Sequence, residues 1–388
     1  MAALKAQDLL PDDVELAVLI GRVWDPASGG PRVVSLRDDA VYDLTPLVGT
    51  VSALLEREDA LDLARNHGTR LGWSLAELLE ESAGQSAEID PTRPRLLAPI
   101  DLQVIKACGV TFADSMIERL IEERAGGDPD KATELRATVL GTIGDRLLSA
   151  RAGSPGAAVV KARLIEQGMW SQYLEVGIGP DPEVFTKAPV LSAVGVGAAV
   201  GIPAFSHWNN PEPELVLAVN SRGEVRGAAL GNDVNLRDVE GRSALLLGMA
   251  KDNNASTAIG PFIRLFDEGF TIETLRNEEI LLSVDGTDGY RLEGRNSLSR
   301  ISRPFERLVA ATIGDHHQYP DGFVLFTGTL FAPTEDRDEP GQGFTHKPGD
   351  VVTISSANLG ALVNTVGASE NLPRWSYGIG ELLRYLAG

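Results

Sequence analysis

Short apolar runs separated by polar turns dominate the second half of the chain. From Glu183 onward, Val184–Thr186, Leu215–Val219, Val225–Leu230, Ile280–Val284, Tyr290–Leu292, Gly322–Thr327 and Asp350–Ile354 alternate with Gly, Pro and Asn. That rhythm predicts a mainly antiparallel sheet system. Nearer the N-terminus, Val14–Val23 and Arg32–Leu36 read as strands, and the proline-punctuated Pro91–Pro99 reads as a linker. Residues 104–112 form a buried apolar run. Met116–Ala125, Ala132–Ala150 and Pro155–Gln167 carry helical spacing. The pattern predicts an α+β protein with a small α+β N-terminal domain over 1–95 and a larger domain over 96–388. A helical insert at about 116–167 could act as a lid.

One predicted hairpin carries an unusual charge pattern. Glu214–Val219 reads as a strand, Asn220–Gly223 as a turn and Glu224–Leu230 as the returning strand. If those four turn residues close it, Glu212 faces Gly231 and Asp233 lies two positions beyond. Side chains alternate faces with period two, so Glu212, Glu214 and Asp233 share one face. A one-residue slip in the turn would move Asp233 to the other side. Three carboxylates in a segment otherwise read as buried are costly unless they are paired or bind a metal. Hard oxygen donors suit Mg²⁺, with Mn²⁺ or Ca²⁺ as substitutes. The plain alternative is three acidic residues on a solvated hairpin face.

Composition narrows the function classes. A formal net charge of −20 argues against nucleic acid as a partner. The single cysteine, Cys108, excludes an internal disulfide framework and a Cys-based zinc site, and its apolar neighbours suggest a small buried hydrophobe. No stretch approaches the ~20 apolar residues of a membrane span, and the N-terminus lacks the pattern of a signal peptide. A cytoplasmic protein without a membrane partner is expected.

Other candidates stand out more weakly. The five histidines show no zinc spacing, and no Gly-x-Ser-x-Gly elbow occurs. His207 precedes the Glu-Pro-Glu segment and suits a structural hydrogen bond. Lys251 could bind a substrate carboxylate or stabilise an enolate, or be a solvated surface lysine. Arg237 and Asp238 could pair to hold their loop. Thr327-Gly-Thr329 could offer donors to an anion, and Gly341-Gln-Gly343 a loop of close approach or a plain turn.

Taken in order, Cys108–Glu118, Glu212-Pro-Glu214, Asn232–Asp238, Lys251, Gly260-Pro261 and Thr327-Gly-Thr329 resemble the fumarylacetoacetate hydrolase family over roughly residues 95–388. The resemblance implies a mixed β-roll with a metal held by Glu212, Glu214 and Asp233. Hydrolytic members carry Gly-x-Asn-Tyr-x-x-His-x-x-Glu at the first segment; here the histidine position is Ser115, while Glu118 is retained. Trp170–Val176, Pro182–Lys187, Ser206–Glu214 and Gly341–Lys347 look closer to the branch that dehydrates 2-keto-3-deoxy-pentonates to 2-oxoglutarate semialdehyde. That branch implies site roles for Glu183, Lys251 and Thr345.

The implied reaction is a Mg²⁺-dependent dehydration of a 2-keto sugar acid derived from D-xylonate or D-arabinonate. Bound Mg²⁺ would acidify the C3 protons of a chelated 2-keto acid. Glu183 is the first candidate base, Glu118 the second, and Lys251 the electrostatic or acid partner. Thr345, Arg237, Thr329, Ser115 and Lys251 are the candidate substrate contacts. A homodimer or homotetramer is implied by the family. The alternatives are a metal-dependent hydrolase or decarboxylase of acylpyruvate-like diketo acids, and a non-catalytic metal-stabilised scaffold.

Overall fold

The structure is a computed structural model that describes residues 5–85, 88–126, 128–136, 152–330, 333, 335–338 and 343–388. Much of the expected Ala132–Ala150 helix and the Gly341-Gln342 part of the late loop lie outside the described residues; residues 129–136 are helical.

Two sheets organise the chain. The larger has a central series in which Leu19–Asp25, Thr257–Leu265, Val225–Asp233, Pro213–Val219, Phe323–Phe326, Val104–Gly109 and Glu183–Ala188 lie side by side. Gly30–Arg37, Ala40–Asp43 and Thr69–Ser74 extend its first edge. The second sheet orders Arg291–Ser297, Glu279–Asp285, Val351–Ser356, Gly360–Ala368 and Ala199–Ile202. Every residue of Pro213–Val219 and Thr257–Leu265 is buried. Such strands show continuous apolar runs because both faces are covered. Leu215, Leu217 and Val219 join the core shared with the second sheet, whereas Val216 and Ala218 join a core under Val51, Leu54 and Leu63.

The hairpin differs from expectation in register. Glu214 faces Gly231 and Pro213 faces Asn232, with the Asp233 N–H donating to Glu212 O at 3.1 Å. The expected Glu212–Gly231 pairing is therefore corrected by two positions. The loop is Asn220–Glu224, one residue longer than predicted, because Asn220 pairs with Glu224 (N→O, 3.0 Å) and Val219 with Val225. An irregularity after that pair leaves Arg226 as one extra residue before Ala218 meets Gly227. Each single slip would invert the faces; together they restore them.

Three further expectations are corrected. The first strand begins at Leu19, since the preceding segment turns at Pro11–Ala17 and Asp13 grips Arg264 through two 2.6 Å bonds. Within the supposed linker, Arg95–Leu97 pairs with Arg22–Trp24. Arg237 does not pair with Asp238, because adjacent residues of the helix Arg237–Glu240 point in different directions. Asp238 instead accepts from Ser206 Oγ at 2.9 Å and His207 N at 2.7 Å.

A helical layer covers one end of the large sheet. Ala113–Ala125 buries Met116, Ile117, Leu120 and Ile121 against Leu164 of Pro155–Glu166, Leu174 of Gln172–Ile178 and Trp208. The first of these helices ends on Gly126 at φ 65°, a left-handed cap that glycine adopts without strain. Pro155–Glu166 starts on Ser154, whose Oγ accepts from Ala157 N at 3.1 Å, with proline at the first helical position. No helix among the described residues is long and apolar enough to cross a membrane.

Candidate metal and substrate site

The apolar face formed by Val216 and Ala218 changes character at its end, where the same alternation places Glu214 and Glu212. Across the hairpin Asp233 joins them, and one oxygen from each carboxylate lies within 4.8 Å of the others. All three residues are buried. The cleft they form is also lined by Ser115, Arg119, Glu183, Glu240, Lys251 and Thr329. Five carboxylates there face two cations, Arg119 and Lys251. Even with Lys187 Nζ 3.3 Å from Asp233 Oδ1, carboxylates outnumber the cations around them, an excess that suits a divalent cation. The all-oxygen donor set fits magnesium.

The cations are tightly placed. Lys251 Nζ lies 2.6 Å from Glu212 Oε2 and 3.2 Å from Asp233 Oδ2. Burial acts to lower its pKa, but Asp233, Glu212 and Glu240 outweigh this and hold it above the ordinary lysine value. Lys251 is therefore a buried ammonium, not a solvated surface lysine. Arg119 reaches Glu212 Oε1 at 2.8 Å, Glu122 Oε2 at 2.7 Å and Glu240 Oε2 at 2.6 Å.

Burial dominates the carboxylates. It raises Glu214 well above the usual range, with repulsion from Asp233 and Glu212 adding to the effect. Burial also raises Glu183, against the pull of Arg119 and Lys251. Glu214 Oε2 accepts the N–H of Gly328 at 2.7 Å. Gly328 has φ 91°, and a Cβ there would lie 2.0 Å from Thr111 Oγ1, so this donor depends on glycine. The anion that Thr327-Gly-Thr329 serves is thus a carboxylate of the protein itself. Cys108 lies beside the cleft as a buried thiol; burial pushes its pKa up, and Glu214 and Glu183 push further, so a nucleophilic thiolate is disfavoured.

The remaining expected residues separate. Glu118 is engaged by Arg136 at 2.7 Å and Arg237 at 3.5 Å and does not line the cleft. Arg237 is buried over Trp208 at 4.3 Å and binds Glu122 at 2.7 Å. Thr345 lines a separate cavity of about 270 Å³ with Asn209 and His346. Ser115 Oγ donates to Phe112 O at 2.8 Å. His207 is exposed and its backbone N–H binds Asp238.

Sequence reasoning missed Arg119, Glu240 and Lys187. Ser115, Arg119 and Glu122 lie three or four residues apart, a helical-face signal that would have turned attention from Glu118 to its neighbour. Lys187 is fully buried, 3.3 Å from Asp233 Oδ1. It donates to Ser256 O and Oγ at 3.1 and 3.2 Å and to Lys251 O. It thereby ties the loop after Lys251 to the carboxylate trio.

The fold and site define a class. The chain matches the family model described as fumarylacetoacetate (FAA) hydrolase C-terminal over residues 162–367, and it belongs to that family. It is 27% identical over 339 residues to a protein of Haloferax volcanii named as a probable 2-keto-3-deoxyxylonate dehydratase, covering 87% of this chain and 96% of that one. It is 32% identical over 185 residues to the 2-dehydro-3-deoxy-D-arabinonate dehydratase of Saccharolobus solfataricus, covering 48% and 58%. With these relatives, the chain is an enzyme of the dehydratase type. In fold it is similar to a 2-keto-3-deoxy-D-arabinonate dehydratase solved with magnesium and 2,5-dioxopentanoate, at TM-score 0.61 and 23% identity over 90% of this chain and 99% of the other.

Proposed function

We propose that the protein dehydrates a 2-keto-3-deoxy-pentonate of the D-xylonate or D-arabinonate series to 2-oxoglutarate semialdehyde. The observation that carries this reading is the buried trio Glu212, Glu214 and Asp233 on one hairpin face, bridged by Lys251. In this proposal the trio holds Mg²⁺. When bound, the ion would draw electron density from the 2-keto acid and make its C3 hydrogens more acidic.

The residues supply the rest. Glu183 removes a C3 proton; its raised pKa favours a carboxylate able to accept and hold one. Lys251 places positive charge where negative charge develops and assists departure of the C4 hydroxyl as water. The C3=C4 double bond left by elimination shifts to C4=C5 as C5 loses a proton and C3 regains one. The resulting enol gives the aldehyde as its hydroxyl proton is lost and C4 gains one, so dehydration and isomerisation balance without an external oxidant. Arg119 is a further substrate-carboxylate contact in the same cleft. Ser115 supports elimination over hydrolysis, since its hydroxyl is committed to a carbonyl of its own helix and offers no base for water. We include homo-oligomerisation in the reading, supported by Ile379 and Leu383, exposed apolar side chains one turn apart on the helix Ile379–Ala387.

The test couples product formation to an NADP-linked aldehyde dehydrogenase, with Mg²⁺ or chelator, on both C4 epimers. Semialdehyde from the D-series acid with Mg²⁺ is expected. No product with metal present, or full activity in Glu214→Gln, would overturn the reading.

A further inference from the structure

A second cavity, of about 610 Å³, shares no lining residue with the catalytic cleft. Its volume falls in the range of small-molecule sites, far beyond that of a trapped water. It lies where the strands Leu19–Asp25 and Arg95–Leu97 meet the segment 371–377 and residues 193–196, 198 and 199. One wall includes Asn254 and Ala255, in the loop that follows Lys251.

The chemistry of the cavity follows from strand alternation. Arg22 and Trp24 are two residues apart on one strand, and Trp24 is directly opposite Arg95 on its neighbour. All three side chains therefore project from the same face. The Arg95 guanidinium lies over the Trp24 ring at 4.9 Å, and Tyr377 meets that ring edge-on at 5.8 Å. Trp375 adds a further aromatic wall.

Polar satisfaction is incomplete there. Arg95 Nη1 and Tyr377 Oη are both buried and have no hydrogen-bond partner among the described residues. Arg22 is engaged by Ile100 O at 2.5 Å and lies 3.8 Å from Asp101. Buried donors without acceptors are costly and uncommon in folded proteins. Burial lowers Arg95 to about 10 and raises Tyr377 to about 12, so both keep their protons at neutral pH. In a chain with net charge −20, this is a local cationic and aromatic cavity with donors left over.

We propose that this cavity is a second binding site, for a small planar carboxylate of aromatic size. Its carboxylate pairs with the Arg95 guanidinium on the cavity wall, and its flat face packs among Trp24, Trp375 and Tyr377. Neutral aromatic compounds of the same shape fill the volume but leave the charge unanswered.

The test uses 1-naphthoate and its neutral counterpart 1-naphthamide, titrated calorimetrically into the full-length protein. The expected result is saturable 1:1 binding of naphthoate, with naphthamide about tenfold weaker or more, the scale of one charge-assisted hydrogen bond. Arg95→Met weakens naphthoate and brings the two probes closer in affinity. Glu214→Gln, altered in the catalytic cleft, binds naphthoate as the wild type does. Absence of saturable naphthoate binding, equal affinity for the amide, or loss of binding in Glu214→Gln overturns the proposal. The amide comparison needs no variant, so the result stands even if Arg95→Met fails to fold.

Discussion

Gly109 and Glu183 are cross-strand partners at the mouth of the cleft, and the carboxylate of one occupies the space above the backbone of the other. A Cβ on residue 109 would lie 2.0 Å from Glu183 Oε2. Gly109→Ala should therefore displace the proposed base while leaving the carboxylate trio in place. The expected outcome is a fall in kcat of about 10²-fold with Mg²⁺ affinity retained, the scale of a misplacement of roughly 1 Å. Steady-state kinetics beside metal titration would separate the two effects; unchanged kcat would remove Glu183 from the mechanism.

Metal dependence should appear in stability as well as rate. A ligand present at about 100 times its Kd stabilises the folded state by about 2.7 kcal/mol. Mg²⁺ is expected to raise the Tm of the wild type and a chelator to reverse this. Glu214→Gln should lose most of the response together with activity. Differential scanning calorimetry checks it, and an undiminished Mg²⁺ shift in the variant would contradict the assignment of the trio.

Lys187 offers a test in the protein's charge balance. It is fully buried between Asp233 and the loop after Lys251. Breaking a buried pair by removing one member costs about 3–5 kcal/mol. Lys187→Met should lower stability by that order in urea unfolding with chelator present. The double variant with Asp233→Asn should recover part of the loss, giving a coupling energy in a double-mutant cycle.

Acid should weaken the late loop first. Burial lowers the pKa of His346, against the opposing pull of Asp350. Asp350 is held down to about 2: burial acts to raise it, and Arg337, His346 and the Lys347 N–H outweigh that. A histidine with a lowered folded pKa takes up its proton more readily when unfolded, so stability declines as pH falls below about 6.5. The Asp350 contribution is present above about 3.9 and is lost as pH falls toward 2. His346→Asn should flatten the upper part of this dependence and Asp350→Asn the lower, as measured by unfolding between pH 3 and 8.

The sequence revealed more about faces than about partners. Alternation correctly grouped Glu212, Glu214 and Asp233, although their pairing was displaced, because alternation records odd and even positions and not the length of a turn. The strand Thr257–Leu265 was hidden by Gly260 and Pro261, which usually argue against a central strand. Arg119 was hidden beside Glu118, since neighbours on a helix point apart and only packing decides which faces inward. Lys187 stood within a recognised segment, but its complete burial depends on the loop 251–256, which is distant in the chain.

The two compensating slips in the Pro213–Asp233 hairpin act as a parity check on the site. Deleting one residue from the Asn220–Glu224 loop, or erasing the extra residue at Arg226, leaves an odd count and turns Asp233 away from both glutamates. Doing both returns an even count and a shorter hairpin with the same three carboxylates together. Length changes here are tolerable only in twos, so a natural or engineered variant that trims this turn should be found with its bulge trimmed as well.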